Sequence, residues 1–172
     1  MAIQIIFVME ADEKSRSDYM YIRTVLDKHY NILQRKDIKI MPVFLGGKGN
    51  YQKAKVERTI TGNVKKYSVN GESKIVYCFD TDKYDSNPED SKLLKQEQDY
   101  CASKGYDFVW FCHDIEEVFL GHSVKQSEKT DIARKFMANA SKSAIVVNNL
   151  NVESIGKGKS NLIRVLDKYI YA

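Results

Sequence analysis

Lys74-Ile75-Val76-Tyr77-Cys78-Phe79-Asp80-Thr81-Asp82 runs five apolar or aromatic residues straight into two carboxylates one residue apart. A strand buried on both faces reads as a near-continuous apolar run, so this stretch predicts a central strand of a parallel sheet. Asp80 and Asp82 fall at its carboxyl end, the side of an open α/β sheet where ligands bind. If the backbone stays extended past Phe79, the period-two alternation of a strand points both acids to the same side. Two like charges so placed repel unless a cation lies between them. Oxygen donors with no Cys or His among them suit Mg²⁺ or Mn²⁺, which makes Asp80 and Asp82 the candidate metal ligands. The plain alternative is a pair of solvated turn acids, since Asp is favoured after a strand on its own account.

Outward from this strand, the chain alternates. Ile3 to Met9 predicts a first strand, and Lys14 to Tyr30 a helix with Tyr19, Ile22, Val25, Leu26 and His29 on one stripe. Ile38 to Leu45 is a second strand; Pro42 within it has no N–H for a ladder and places it near an edge. Gly46-Gly47-Lys48-Gly49 reads as a loop, and Tyr51 to Tyr67 as a surface helix interrupted near Gly62. Pro88 suits the first turn of a helix that Leu93, Leu94, Glu97, Tyr100 and Cys101 carry to a stop near Gly105. Asp107 to Cys112 is a fourth strand, and Ile115 to His122 a short helix. Ile132, Phe136, Met137 and Ala140 mark another helix, and Leu162 to Ile170 a last one after the Gly156-Lys157-Gly158-Lys159 loop. Strands alternating with helices of these lengths predict a three-layer α/β domain with a mainly parallel sheet, a single domain over residues 1–172.

Composition narrows the class. With 172 residues, 43% hydrophobic and 29% charged, the chain has the make-up of a globular domain able to bury a core. A net charge of +4, spread along the chain, is compatible with a polyanionic partner without arguing for one. Cys78, Cys101 and Cys112 form no CxxC pair, so neither a disulfide framework nor a zinc site is indicated and a reduced, cytoplasmic setting is expected. The short apolar run at the amino end lacks a basic flank and reads as a strand rather than a signal peptide, and no run reaches the roughly 20 residues of a membrane span.

Glu10 directly follows the first strand, so a parallel sheet brings it to the crevice that receives Asp80 and Asp82. One Glu after the first strand with Asp-x-Asp after a later one resembles the Toprim domain of primases, topoisomerases and old-lysogenisation-type nucleases. The resemblance extends to the RloB-like branch of that group. It rests on Glu10-Ala-Asp-Glu-Lys-Ser-Arg-Ser-Asp-Tyr19, Gly46-Gly47-Lys48-Gly49, Asp80-Thr81-Asp82 and Ile115-Glu116-Glu117-Val118-Phe119-Leu120-Gly121-His122, and it covers most of Ile3 to His122. The chain departs from the pattern at Ala11, where the branch has Gly, at Arg16, where it has Glu, and at Val118 before Phe119, where it has Trp.

The resemblance implies a Toprim/Rossmann-like fold, metal held by Asp80 and Asp82, acid/base chemistry by Glu10, and Glu116 and His122 near the site. It also implies a metal-dependent nuclease acting on DNA or RNA in phage defence, with an ATPase partner. Lys48 and Lys53, around the Gly-rich turn, are candidates to meet substrate phosphate. Each residue has a quieter explanation. Glu10, like Asp12 or Glu13, suits a helix amino terminus; Glu116 suits an exposed helix face; His122 suits a helix carboxyl end; the two lysines suit an ordinary surface. His29 and His113 read as structural or solvated. The altered loop after Glu10 favours a second class of function, a Toprim-like subunit that binds nucleic acid or an ATPase with little cleavage of its own.

Overall fold

The computed structural model describes residues 2–171. Strands β1 (Ala2–Met9), β2 (Ile38–Phe44), β3 (Gly71–Asp80), β4 (Asp107–Cys112) and β5 (Lys159–Ser160) form one sheet in the order β2-β1-β3-β4-β5. The first four are parallel and β5 runs antiparallel to β4. The helices are α1 (Ser17–Lys28), α2 (Ala54–Tyr67), α3 (Pro88–Lys104), α4 (Ile115–Leu120), α5 (Lys129–Asn139), α6 (Val147–Leu150) and α7 (Leu162–Ile170).

Alternation along β1 divides the interior in two. Ile5, Phe7 and Met9 join a core with Val25 and Leu26 of α1, Ala133 of α5 and Leu166 of α7. Ile6 and Val8 enter a second core with Val56 and Ile60 of α2 and Cys101 of α3. The result is the three-layer, mainly parallel, Rossmann-like α/β arrangement that the strand and helix pattern predicts. No helix among the described residues is long and apolar enough to cross a membrane.

This topology fixes where a ligand site belongs. The chain leaves β1 through α1 on one face and reaches β2 at the sheet's edge; from there α2 and α3 return it over the other face to β3 and β4. Connections from the carboxyl ends of β1 and β3 therefore diverge to opposite faces and open a crevice at the switch point between them. Glu10 and Asp80 stand at that point, and β2 with its Pro42 is indeed an edge strand.

Local chemistry sets the boundaries. The Asn87 side chain accepts hydrogen bonds from the N–H groups of Glu89 and Asp90 at the start of α3, with Pro88 in its first turn, and Gly105 ends the helix at φ 69°. α1 begins at Ser17, later than the stripe predicts, because Asp12 accepts from the N–H groups of Lys14 and Ser15 and winds that segment into a turn. α2 passes through Gly62 without interruption. α4 stops at Leu120, short of the predicted His122, because Gly121 takes φ 82°. The short α6 and β5 were not legible in the sequence pattern; at four and two residues they hold no period.

Candidate functional site

At the switch point, Glu10 Oε1 accepts a hydrogen bond from the Asp80 N–H at 2.7 Å, and Asp80 Oδ1 accepts one from the Ile115 N–H at 2.9 Å. The first ties β1 to β3; the second ties β3 to the start of α4. On the α1 side Asp18 Oδ2 accepts from the Ala11 N–H at 3.1 Å. These three carboxylates line a cavity of about 250 Å³ whose far wall carries Gln126 and Lys129. Beneath that wall lies Glu116, 0% exposed, with its Oε2 3.1 Å from Lys129 Nζ.

The acids outnumber the cations, and their ionisation shows it. Burial, then the repulsion of Glu10, Asp18 and Glu116, holds the Asp80 carboxyl well above the usual range. Burial pushes Glu10 up to about 8 against the pull of Lys48. Asp18 and Glu116 are raised for the same first reason, with Lys129 opposing. Lys129 keeps its charge: burial disfavours the ammonium, but Glu116 and Asp80 outweigh that and raise it.

The opposite wall is built differently. Gly46 and Gly47, at φ 64° and 129°, direct their N–H groups to the carbonyls of Ala11 and Glu10, so these two amides are already bonded to main chain rather than open to a phosphate. Lys48 is turned inward. Its Nζ donates to the Asp80 carbonyl and to Asp82 Oδ2 at 2.9 Å, and stands 3.9 Å from Glu10 Oε1 with 12% of the side chain exposed. Nearby Glu97 of α3 is 0% exposed, neither of its oxygens has a hydrogen-bond partner, and burial raises it to about 8.

The expectation that Asp80 and Asp82 share one side is not met. β3 ends at Asp80, and Asp82 turns to φ 50°, its N–H bonded to the His113 carbonyl. Asp is one of the few side chains that tolerates this conformation, which breaks the alternation that would align the pair. Asp82 opens instead onto a separate cavity of about 700 Å³ shared with Asp85, Asp90 and His113. There His113 stands 3.0 Å from Asp85 and 3.2 Å from Glu117; the hydrogen bond to Asp85 raises the imidazole. His113 thus bridges the loop after β3 to α4.

Of the other predicted residues, Lys53 is exposed at the start of α2, on a different cavity beside Phe44 and Val56. His122 is exposed just after α4 and meets the Ser123 carbonyl at 3.1 Å. Neither joins the crevice. Sequence reading did not single out Asp18, Glu97 or Lys129 for the site. Glu97 carried a usable signal, as an acid inside the apolar stripe of α3. Lys129 carried none, because only the packing of α5 against α1 brings it in.

Among the described residues, no group of three or more His, Cys, Asp or Glu side chains already encircles a metal position. The donor chemistry nevertheless fits a hard cation: Glu10 and Asp80 each commit one oxygen to a main-chain N–H and leave the second without a hydrogen bond in the cavity they line. Comparison of the chain with protein-family models, curated proteins and solved structures gave no match.

Proposed function

We propose that this chain is a metal-dependent phosphodiester hydrolase acting on nucleic acid, with its site in the crevice between β1 and β3. The observation that carries the reading is the gathering of Glu10, Asp18 and Asp80 around one small cavity, with Lys129 as the one lysine lining it among the described residues and Glu116 buried behind that lysine. Buried like charges in that number call for a proton or a cation. Asp80 and Asp18 are the ligands this reading assigns to Mg²⁺ or Mn²⁺. A divalent ion bound there supplies Lewis-acid polarisation of a phosphoryl oxygen and stabilises the leaving oxygen.

The chain's own groups do the rest. The Asp80 N–H holds Glu10 Oε1, which leaves Oε2 as the oxygen able to exchange a proton with the attacking water or the leaving oxygen. The Ile115 N–H orients Asp80, so the rigid start of α4 sets the ligand's angle. A role in phage defence beside an ATPase partner rests on the RloB-like resemblance alone.

The test is cleavage of mixed DNA and RNA substrates in Mg²⁺ by the wild type and by Asp80→Asn. Cleavage that the substitution removes supports the reading; a wild type that cleaves nothing, or an unaffected variant, overturns it. A second reading, a nucleic-acid- or ATPase-binding subunit without cleavage, is favoured by Lys48. Its ammonium already neutralises Asp82, and Gly46 and Gly47 offer no free amide. Oligonucleotide binding without cleavage at any metal concentration distinguishes it.

A further inference from the structure

One wall of the cavity has no part in the mechanism above. Lys129 opens α5, 21% exposed, with Nζ 3.1 Å from an oxygen of the fully buried Glu116. Among the described residues it is the one cation lining the cavity, and Glu116 is the one carboxylate within ion-pair range of it. An ammonium carries three donors. One donor turns to Glu116 at 3.1 Å, and the other two have no protein acceptor among the described residues and remain for the cavity. Lys48 differs: its donors are taken by the Asp80 carbonyl and Asp82, and its remaining side faces Glu10.

We propose that Lys129, braced from beneath by Glu116, contacts a non-bridging oxygen of a nucleic-acid phosphodiester seated in this cavity. The identity of the substrate rests on the hydrolase reading. Lys129 thereby takes the phosphate role that the sequence assigns to Lys48 and Lys53. Glu116, with no exposed surface, touches no substrate; it is a positioning residue acting through Lys129. At about 250 Å³ the cavity is smaller than the roughly 300–1,000 Å³ of sites that enclose a whole small ligand. It suits a phosphate rather than a base, and a contact of that kind positions the chain without reading its sequence.

The experiment measures binding of a labelled oligonucleotide by fluorescence anisotropy across a salt series. Ca²⁺ replaces Mg²⁺, and the proteins are the wild type, K129Q, K129R and the double variant E116Q/K129Q. K129Q is expected to bind about tenfold more weakly and to lower the slope of log affinity against log salt by about one, while K129R keeps the slope. The double variant, which leaves no lone buried carboxylate, is expected to match K129Q in binding while folding as the wild type does. A K129Q protein with wild-type affinity and slope overturns the proposal, as does a wild type that binds no oligonucleotide. Mg²⁺ calorimetry on the same proteins separates the two readings. Absence of Mg²⁺ binding in the wild type sinks the hydrolase reading, and the salt slope still judges Lys129. Loss of Mg²⁺ binding in K129Q along with the slope reduces Lys129 to a structural residue and overturns the contact.

Discussion

Lys48 and Lys129 face the same acid crevice from opposite walls, yet one is enclosed and the other accessible. Lys48 satisfies Asp82 and the Asp80 carbonyl and lies near Glu10, with 12% of its side chain exposed. Among the described residues Lys129 has Glu116 as its one ion-pair contact, with 21% exposed, and feels Asp80 only across the cavity. A buried ammonium with several acceptors is a structural cation whose removal strands the charges around it. One with a single, deeper acceptor is an anchored side chain whose head still faces the cavity. The difference teaches that the lysine nearest the Gly-rich loop is the less available for a ligand, because the loop folds its amides and its charge onto the ends of β1 and β3.

The largest expected effect lies where both walls meet. Asp80→Asn removes the carboxylate that stands at the centre of the crevice, where Lys129 partly balances it. Cleavage is expected to fall by about 1,000-fold, while the midpoint of thermal unfolding rises because a crowded charge has gone. A variant with reduced stability and unchanged cleavage would break the account of the crevice.

Next comes the comparison of the lysines by chemical denaturation. Lys48→Met is expected to cost about 3 kcal/mol, the scale of breaking a buried ion pair. Lys129→Met, which strands one carboxyl group already inclined to hold a proton, is expected to cost about 1–2 kcal/mol. Equal costs would erase the distinction between them.

Glu97 sharpens the contrast through pH. Its folded value of about 8 lies above the ordinary 4.5, so the folded state binds the proton more tightly than the unfolded chain. Stability from this group is therefore present at low pH and declines as pH rises from about 4.5 through 8, levelling off above that. Glu97→Gln is expected to flatten the unfolding profile over that window and to gain about 2 kcal/mol at pH 8.5. Parallel profiles for the two proteins would show that Lys48 already neutralises Glu97.

The smallest effects belong to residues outside both walls. Lys53→Ala and His122→Ala are expected to stay within about 0.5 kcal/mol of the wild type and to leave Mg²⁺ binding unchanged in calorimetry. A loss of binding in either would extend the site beyond the crevice.

The layers of the fold were open to reading because the signals that make them are local. The apolar run of β3 and the Asn87-Pro88 start of α3 each stand in a few consecutive residues. Glu10 and Asp80 were legible for the same reason, as acids at strand ends. Asp82 was misplaced by assuming an extended backbone, and a left-handed residue in one turn leaves no mark in a run of side-chain types. The pairing of Glu116 with Lys129 was out of reach: the two lie on separate elements, α4 and α5, which meet because both pack on α1. Lys48 was a candidate for substrate phosphate on its place beside the Gly-rich turn, and its inward turn onto Asp80 and Asp82 was not legible, because it accompanies the bonding of Gly46 and Gly47 to the segment after β1.

The central claim is that the crevice between β1 and β3 holds a divalent cation, and isothermal titration with Mg²⁺ and Mn²⁺ tests it most directly. The wild type and an Asp18→Asn/Asp80→Asn double variant would be titrated at pH 8, where a proton competes less for the buried acids than at neutral pH. The account predicts one saturable site in the wild type and none in the double variant. No site in the wild type, or the same site in both proteins, would contradict it.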